Sequence, residues 1–135
     1  MRTTIALLAV VALGLVGALG ASAARSAAAV SVKLKEFTLV PTPKTAKAGK
    51  VTFVARNTGK VEHELVVIKT NVPPGKLPVN AKSRVSEKGS VGEVGEIGPG
   101  QVKQRTLTLA RGRYVLLCNL PGHYKAGQYS GFTVQ

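Results

Sequence analysis

From Val30 to its end this chain never sustains the apolar period of a helix. Its hydrophobic residues come in short alternating stretches cut by Gly, Pro and Asn, which confines it to a small β-architecture. Val30, Val32 and Leu34 alternate with Ser31, Lys33 and Lys35; the phase then slips and Phe37 and Leu39 carry it on. A slip of this kind reads as a bulge or bend in an edge strand, which Pro41 and Pro43 end. Val51, Phe53 and Ala55 form a second alternating run, closed by a turn at Asn57-Thr58-Gly59-Lys60. Over Glu62 to Lys69, His63, Leu65 and Val67 share one face, whereas Thr70 to Lys82, with Pro73, Pro74, Gly75 and Pro78, reads as an irregular excursion. Gly92 to Gly100 is a strand entering a Pro-Gly turn. Leu107 and Leu109 lead to a turn at Arg111-Gly112, Tyr114, Leu116 and Cys118 share the next face, and Phe132 and Val134 lie in a last strand. Seven or so strands at this spacing describe an all-β, antiparallel sandwich with Greek-key connections.

The 135 residues open with Arg2 and an uncharged, largely apolar run from Thr3 to Ala24, in which Ala21-Ser22-Ala23 gives a small-x-small cleavage pattern. Residues 1–23 therefore read as a signal peptide. The run is 22 residues long, enough to span a bilayer, so an uncleaved anchor is the alternative. On either reading residues 24–135 are exported, to the periplasm or the outside, as one domain of about 110 residues with one modest core. Loss of Arg2 lowers the net charge from +13 to +12, and all six acidic residues are Glu. So basic a surface suits acidic partners or an anionic membrane surface, while export argues against nucleic acid. Lys33, Lys35, Lys44, Lys47, Lys50 and Lys60 are spread along the chain, so general solubility explains many of them equally well. A chain without Asp holds no Ser-His-Asp triad, and nothing in its acids suggests hydrolysis; it is not expected to be an enzyme.

A single cysteine makes no internal disulfide, and a lone thiol in an oxidising compartment is a liability unless it is buried or bound to metal. Cys118 stands five residues before His123, one of only two histidines; the other is His63. Alone, each would read as an ordinary core residue. Together they exclude a closed zinc site, which needs four strong ligands, and an iron–sulfur cluster, which needs four cysteines or near substitutes. They match two imidazoles and a thiolate in a trigonal plane with a weak axial fourth ligand, an arrangement that suits copper. Pro121-Gly122 would bend the loop and bring His123 back beside the sulfur.

Three segments carry a resemblance. "NTGKVEHEL" is similar to the first-histidine segment of the cupredoxins, the small blue copper proteins. "IGPGQ" with "TLTLARGRYVLLC" resembles the turn and hairpin leading to their cysteine, and "CNLPGHYKAGQ" resembles their ligand loop. The resemblance spans Val30 to Gln135 and implies a copper ion held by His63, Cys118 and His123. Where the family usually has methionine, five residues after the second histidine, this chain has Gln128; its one methionine is Met1. Gln128 would then be the axial ligand, as in stellacyanin-like members. Family members often place Asn or Ser after the first histidine to brace the sulfur. Here Glu64 stands there, with its N–H able to donate to sulfur and Asn57 or Asn119 as substitute braces.

The function implied is an exported monomeric electron carrier serving a protein redox partner, an acidic one being favoured by the lysines. Leu120, Pro121, Tyr124, Ala126 and Gly127 would make an apolar docking patch around His123. Copper storage, delivery or sensing would use the same residues. A metal-free sandwich serving as an interaction module is the third reading. Membrane association is expected only if the N-terminal run is retained.

Overall fold

The computed structural model describes residues 26–135; the expected leader, residues 1–23, lies outside the described residues. Among the described residues nine strands make two sheets: β1 (Ala28–Lys35), β2 (Thr38–Thr42), β3 (Thr45–Ala46), β4 (Gly49–Asn57), β5 (His63–Lys69), β6 (Ser90–Ile97), β7 (Val102–Leu109), β8 (Gly112–Leu117) and β9 (Tyr129–Val134). One sheet has the order β2-β1-β4-β7 and the other β3-β9-β8-β5-β6. The alternation seen in the sequence is what builds them. Val30, Val32 and Leu34 of β1, Val51, Phe53 and Ala55 of β4, Leu65 and Val67 of β5, and Tyr114 and Leu116 of β8 all turn into one core between the sheets. At the bottom of that core the Phe53 and Phe132 rings meet edge to face at 5.5 Å.

The sandwich is mixed, not antiparallel throughout. β1 runs parallel to β4, and β3 parallel to β9. After β2 folds back along β1, the chain crosses to the other sheet as β3 before β4 returns beside β1, so β1 and β4 point the same way. The phase slip at Glu36-Phe37 is not a bulge: it is the turn of the β1–β2 hairpin, with Lys35 opposite Thr38. β1 is consequently an interior strand. Pro41 lies inside β2, opposite Val32, where the edge position leaves its missing N–H without consequence.

β5 is buried on both faces. Val66 and Ile68 point away from the main core and form a second one with Val85, Val115, Leu117 and Tyr124, against which Leu77 and Val79 pack. The excursion after Lys69 therefore closes the outer face of the second sheet, which is why β5 reads as a continuous apolar run. Near the top of β5 the pairing with β6 shifts register between His63 and Leu65, and Glu96, on the partner strand, takes φ +53°. The bulge sets the aim of His63 at the end of the sandwich.

Candidate metal centre

His63 opens β5, Cys118 follows β8, His123 lies in the turn at 121–127, and Gln128 immediately precedes β9. The loop is tied at its base by Cys118 N–H donating to Gln128 O (3.1 Å) and Gln128 N–H to His123 O (3.1 Å), and internally by Ala126 N–H to Gly122 O (3.0 Å). Gly122 sits at φ +82°, the left-handed conformation that the Pro121-Gly122 bend needs. The result brings together the three scarce donors. The ligand atoms of His63, Cys118 and His123 lie within 4.8 Å of one another; Cys118 Sγ is 3.9 Å from His63 Nδ1 and 3.3 Å from His123 Nδ1.

His63 is wholly buried, and its outer nitrogen meets an acid that nothing in the sequence had singled out. Nε2–H donates to Glu36 Oε1 at 3.1 Å, which leaves the lone pair of the neutral ring on Nδ1, facing the sulfur. Glu36 also accepts from the N–H groups of Lys60 (2.7 Å) and Val61 (2.9 Å). The Val61 N–H above all holds its carboxyl down at about 2, so it is an anion at any ordinary pH. Only the β1–β2 turn brings Glu36 to His63; the sole sequence signal was an acid at the phase slip.

Burial pushes the Cys118 thiol up to about 11, against the opposing N–H groups of Glu64 and Leu120. A thiol so placed is no free nucleophile or redox sensor; only a cation would hold it as thiolate. Glu64 N–H donates to Sγ at 3.4 Å, supplying the backbone brace foreseen for it. Its side chain is half-buried, and desolvation raises its carboxyl. Neither candidate substitute touches the sulfur. Asn57 instead shapes the His63 approach, accepting from Gly59 N–H (2.8 Å) and donating to Val61 O (2.7 Å) and Ile97 O (2.8 Å). Asn119 pins the ligand loop to the excursion through Val85 and Glu87.

His123 is partly exposed. Burial first, then the neighbouring His63, lowers its pKa, so it offers a neutral lone pair at pH 7. Phe37, 40 % exposed, packs its ring against His123 with centroids 5.0 Å apart. Tyr124 does not border this surface: it is turned inward, accepting from Leu77 N–H at 2.9 Å beside Tyr129. The apolar rim is therefore Leu120, Pro121, Ala126 and Gly127 with Phe37 in the place expected of Tyr124.

Gln128 supplies a test of whether an ion fits. Its amide nitrogen has two hydrogens and three acceptors within reach: Lys35 O (3.2 Å), Thr38 O (3.4 Å) and His63 Nδ1 (3.0 Å). Its Oε1 is buried without any hydrogen-bond partner, a state that ordinarily costs about 1–3 kcal/mol. A cation on His63 Nδ1 would resolve both faults, leaving the hydrogens to the two carbonyls and offering Oε1 a positive neighbour. Two imidazoles, a thiolate and a weak amide oxygen form a donor set suited to copper.

Against known proteins, neither a family model nor a curated sequence matches the chain. Solved structures do. A reduced auracyanin from Roseiflexus castenholzii aligns with TM-score 0.61 and 23% identity over 82% of this chain and 99% of its own. Auracyanin B aligns with TM-score 0.63 and 22% identity over 81% and 89%. Auracyanin A, a "blue" copper protein from Chloroflexus aurantiacus, aligns with TM-score 0.57 and 17% identity over 82% and 100%. The chain has the cupredoxin fold. In this cupredoxin fold the His-Cys-His cluster lies at one pole of the sandwich, where β5 starts and β8 ends.

Proposed function

We propose that the protein is an exported single-copper electron carrier, with His63 Nδ1, Cys118 Sγ and His123 Nδ1 as equatorial ligands and Gln128 Oε1 as the axial one. The observation that carries this reading is the convergence of three donor atoms within 4.8 Å, with the buried Gln128 amide against His63 Nδ1 at 3.0 Å and its oxygen without a hydrogen-bond partner. Bound copper would supply a one-electron Cu(I)/Cu(II) couple. The protein's own residues supply the rest. Glu36 fixes the His63 ring, the Glu64 N–H braces the sulfur, and the loop hydrogen bonds hold the donors in one arrangement for both oxidation states. His123, with its apolar rim, is the edge of the site nearest solvent and the surface offered to a redox partner. Burial of His63, Cys118 and Gln128 favours retaining the ion over handing it on, which supports a carrier above a delivery protein.

Titrating the protein with Cu(II) should produce an intense visible thiolate-to-copper band that is lost in Cys118→Ala. No band in the wild type would sink the reading. An amide oxygen is harder than a thioether and favours Cu(II), so Gln128→Met should raise the reduction potential; an unchanged potential and spectrum would remove Gln128 from the metal.

A further inference from the structure

The pole opposite the metal cluster is built from the start of β1, β4 and β8 and the end of β5, β7 and β9. Lys44, Lys47, Lys50, Lys69, Arg111 and Arg113 stand exposed on it. Lys69, Arg111 and Arg113 line one shallow hollow, and Arg111 borders a second with Lys47 and Gln135. No glutamate shares this pole. Glu36 is bonded to His63, Glu62 and Glu64 flank it in sequence, Glu87 is bound to Asn119, and Glu93 and Glu96 lie on β6 opposite Val66 and beside Ile97. Among the described residues no lysine or arginine lies within ion-pair distance of a glutamate, the one contact at that distance being the His63–Glu36 hydrogen bond, so all six cations lack a carboxylate partner. The chain also enters the fold at this pole: Ala28 pairs with Val51 at the start of β4, directly downstream of the uncharged run from Thr3 to Ala24.

We propose that this basic pole is a docking surface for anionic phospholipid headgroups and seats the domain with its metal cluster facing away from the bilayer. Lysines and arginines stand on the rest of the surface too, but there glutamates offset part of their charge and here no glutamate does, a charge asymmetry that orients the molecule on a negative surface. Basic residues within a Debye length of an anionic leaflet each add to the attraction. Lys50, Lys69 and Arg113 stand at strand ends and Lys44, Lys47 and Arg111 in connecting loops, so both sheets contribute to the face. If the apolar run is retained, it would bring the same pole to the membrane, and the basic face would then orient a domain already tethered there. The proposal does not depend on copper.

Amine acetylation read by mass spectrometry tests it on the protein as the exporting cell delivers it, whichever N-terminus that carries. Phosphatidylglycerol vesicles should slow acetylation of Lys44, Lys47, Lys50 and Lys69 several-fold, in copper-loaded and metal-free protein alike. Lys60, Lys82 and Lys125, near the metal pole, should be unaffected. Phosphatidylcholine vesicles or 0.5 M salt (roughly a 4 Å screening length) should remove the protection. The triple variant Lys69→Glu/Arg111→Glu/Arg113→Glu should lose it as well, while an intact far-ultraviolet dichroism spectrum reports that it folds. Uniform protection, equal protection by phosphatidylcholine, or protection by soluble polyphosphate but not by the vesicles would each overturn the proposal. A missing copper band would count only against the copper reading.

Discussion

The two histidines of the cluster are held in opposite ways. His63 comes from a strand, is wholly buried, and has its second nitrogen tied to a carboxylate that two backbone N–H groups also grip. His123 comes from a turn, reaches solvent, and is held by its own loop and the edge of the Phe37 ring. The strand arm makes a fixed wall for an ion, and the loop arm makes its door. Rigidity on one side lets a site keep its geometry while the other side remains accessible to a partner.

The contrast breaks most visibly on deletion of either ring. Both His63→Gly and His123→Gly should abolish the thiolate-to-copper band. Added imidazole should restore it in His123→Gly, where solvent reaches the gap, and not in His63→Gly, where a buried gap beside Glu36 admits no replacement. Equal rescue of both, followed by visible absorption, would erase the distinction.

A second difference lies in how protons act on Cys118 and on Glu36. The Cys118 thiol is held at about 11 in the fold against an ordinary value near 9. Between those values the unfolded chain loses its proton first. The thiol's contribution to the stability of the metal-free protein should therefore be fully present below pH 9 and fall by on the order of 3 kcal/mol as pH rises towards 11. Bound copper replaces the thiol proton and should close that window, as chemical denaturation of the two forms would show. Glu36 carries the opposite sign. Its carboxyl is depressed to about 2, so its contribution is present above the ordinary carboxylate range and is lost only as pH falls through that range towards 2.

The strand arm is sharpened by Glu36→Gln, which keeps the shape but removes the charge behind His63. Partners of this kind tune ligand basicity, and their loss typically costs 10–100-fold in metal affinity. Copper affinity should fall by about that factor and the potential should rise, while Phe37→Ala, on the door side, should leave both nearly unchanged. A Glu36→Gln protein with wild-type affinity and potential would reduce the His63–Glu36 hydrogen bond to packing.

The ligand loop was legible because it is local: Cys118, His123 and Gln128 lie within eleven residues, and their hydrogen bonds close on one another. The strands were legible for a similar reason, since alternation records which side of each faces the core. What was not legible depends on pieces distant in sequence. Nothing local marks Glu36, because its partner lies 27 residues on. The β1–β2 hairpin passed for a bulge because its turn, Glu36-Phe37, contains no Gly, Pro or Asn. Tyr124 was placed on the outside because nothing local shows that Leu77 and Val85 roof the second sheet. The parallel pairing of β1 with β4 is a property of the crossover and leaves no mark on either strand.

That roof has a consequence for anyone wishing to move the site elsewhere. Gly122 N–H donates to Ser83 O at 3.0 Å, and Asn119 clasps Val85 in both directions at 2.7 and 3.0 Å. The segment from Cys118 to Gln128 is thus not a portable cassette. Grafted alone onto another sandwich it would arrive without the scaffold that shapes its bend, and a working transplant must carry Ser83 to Glu87 along with it.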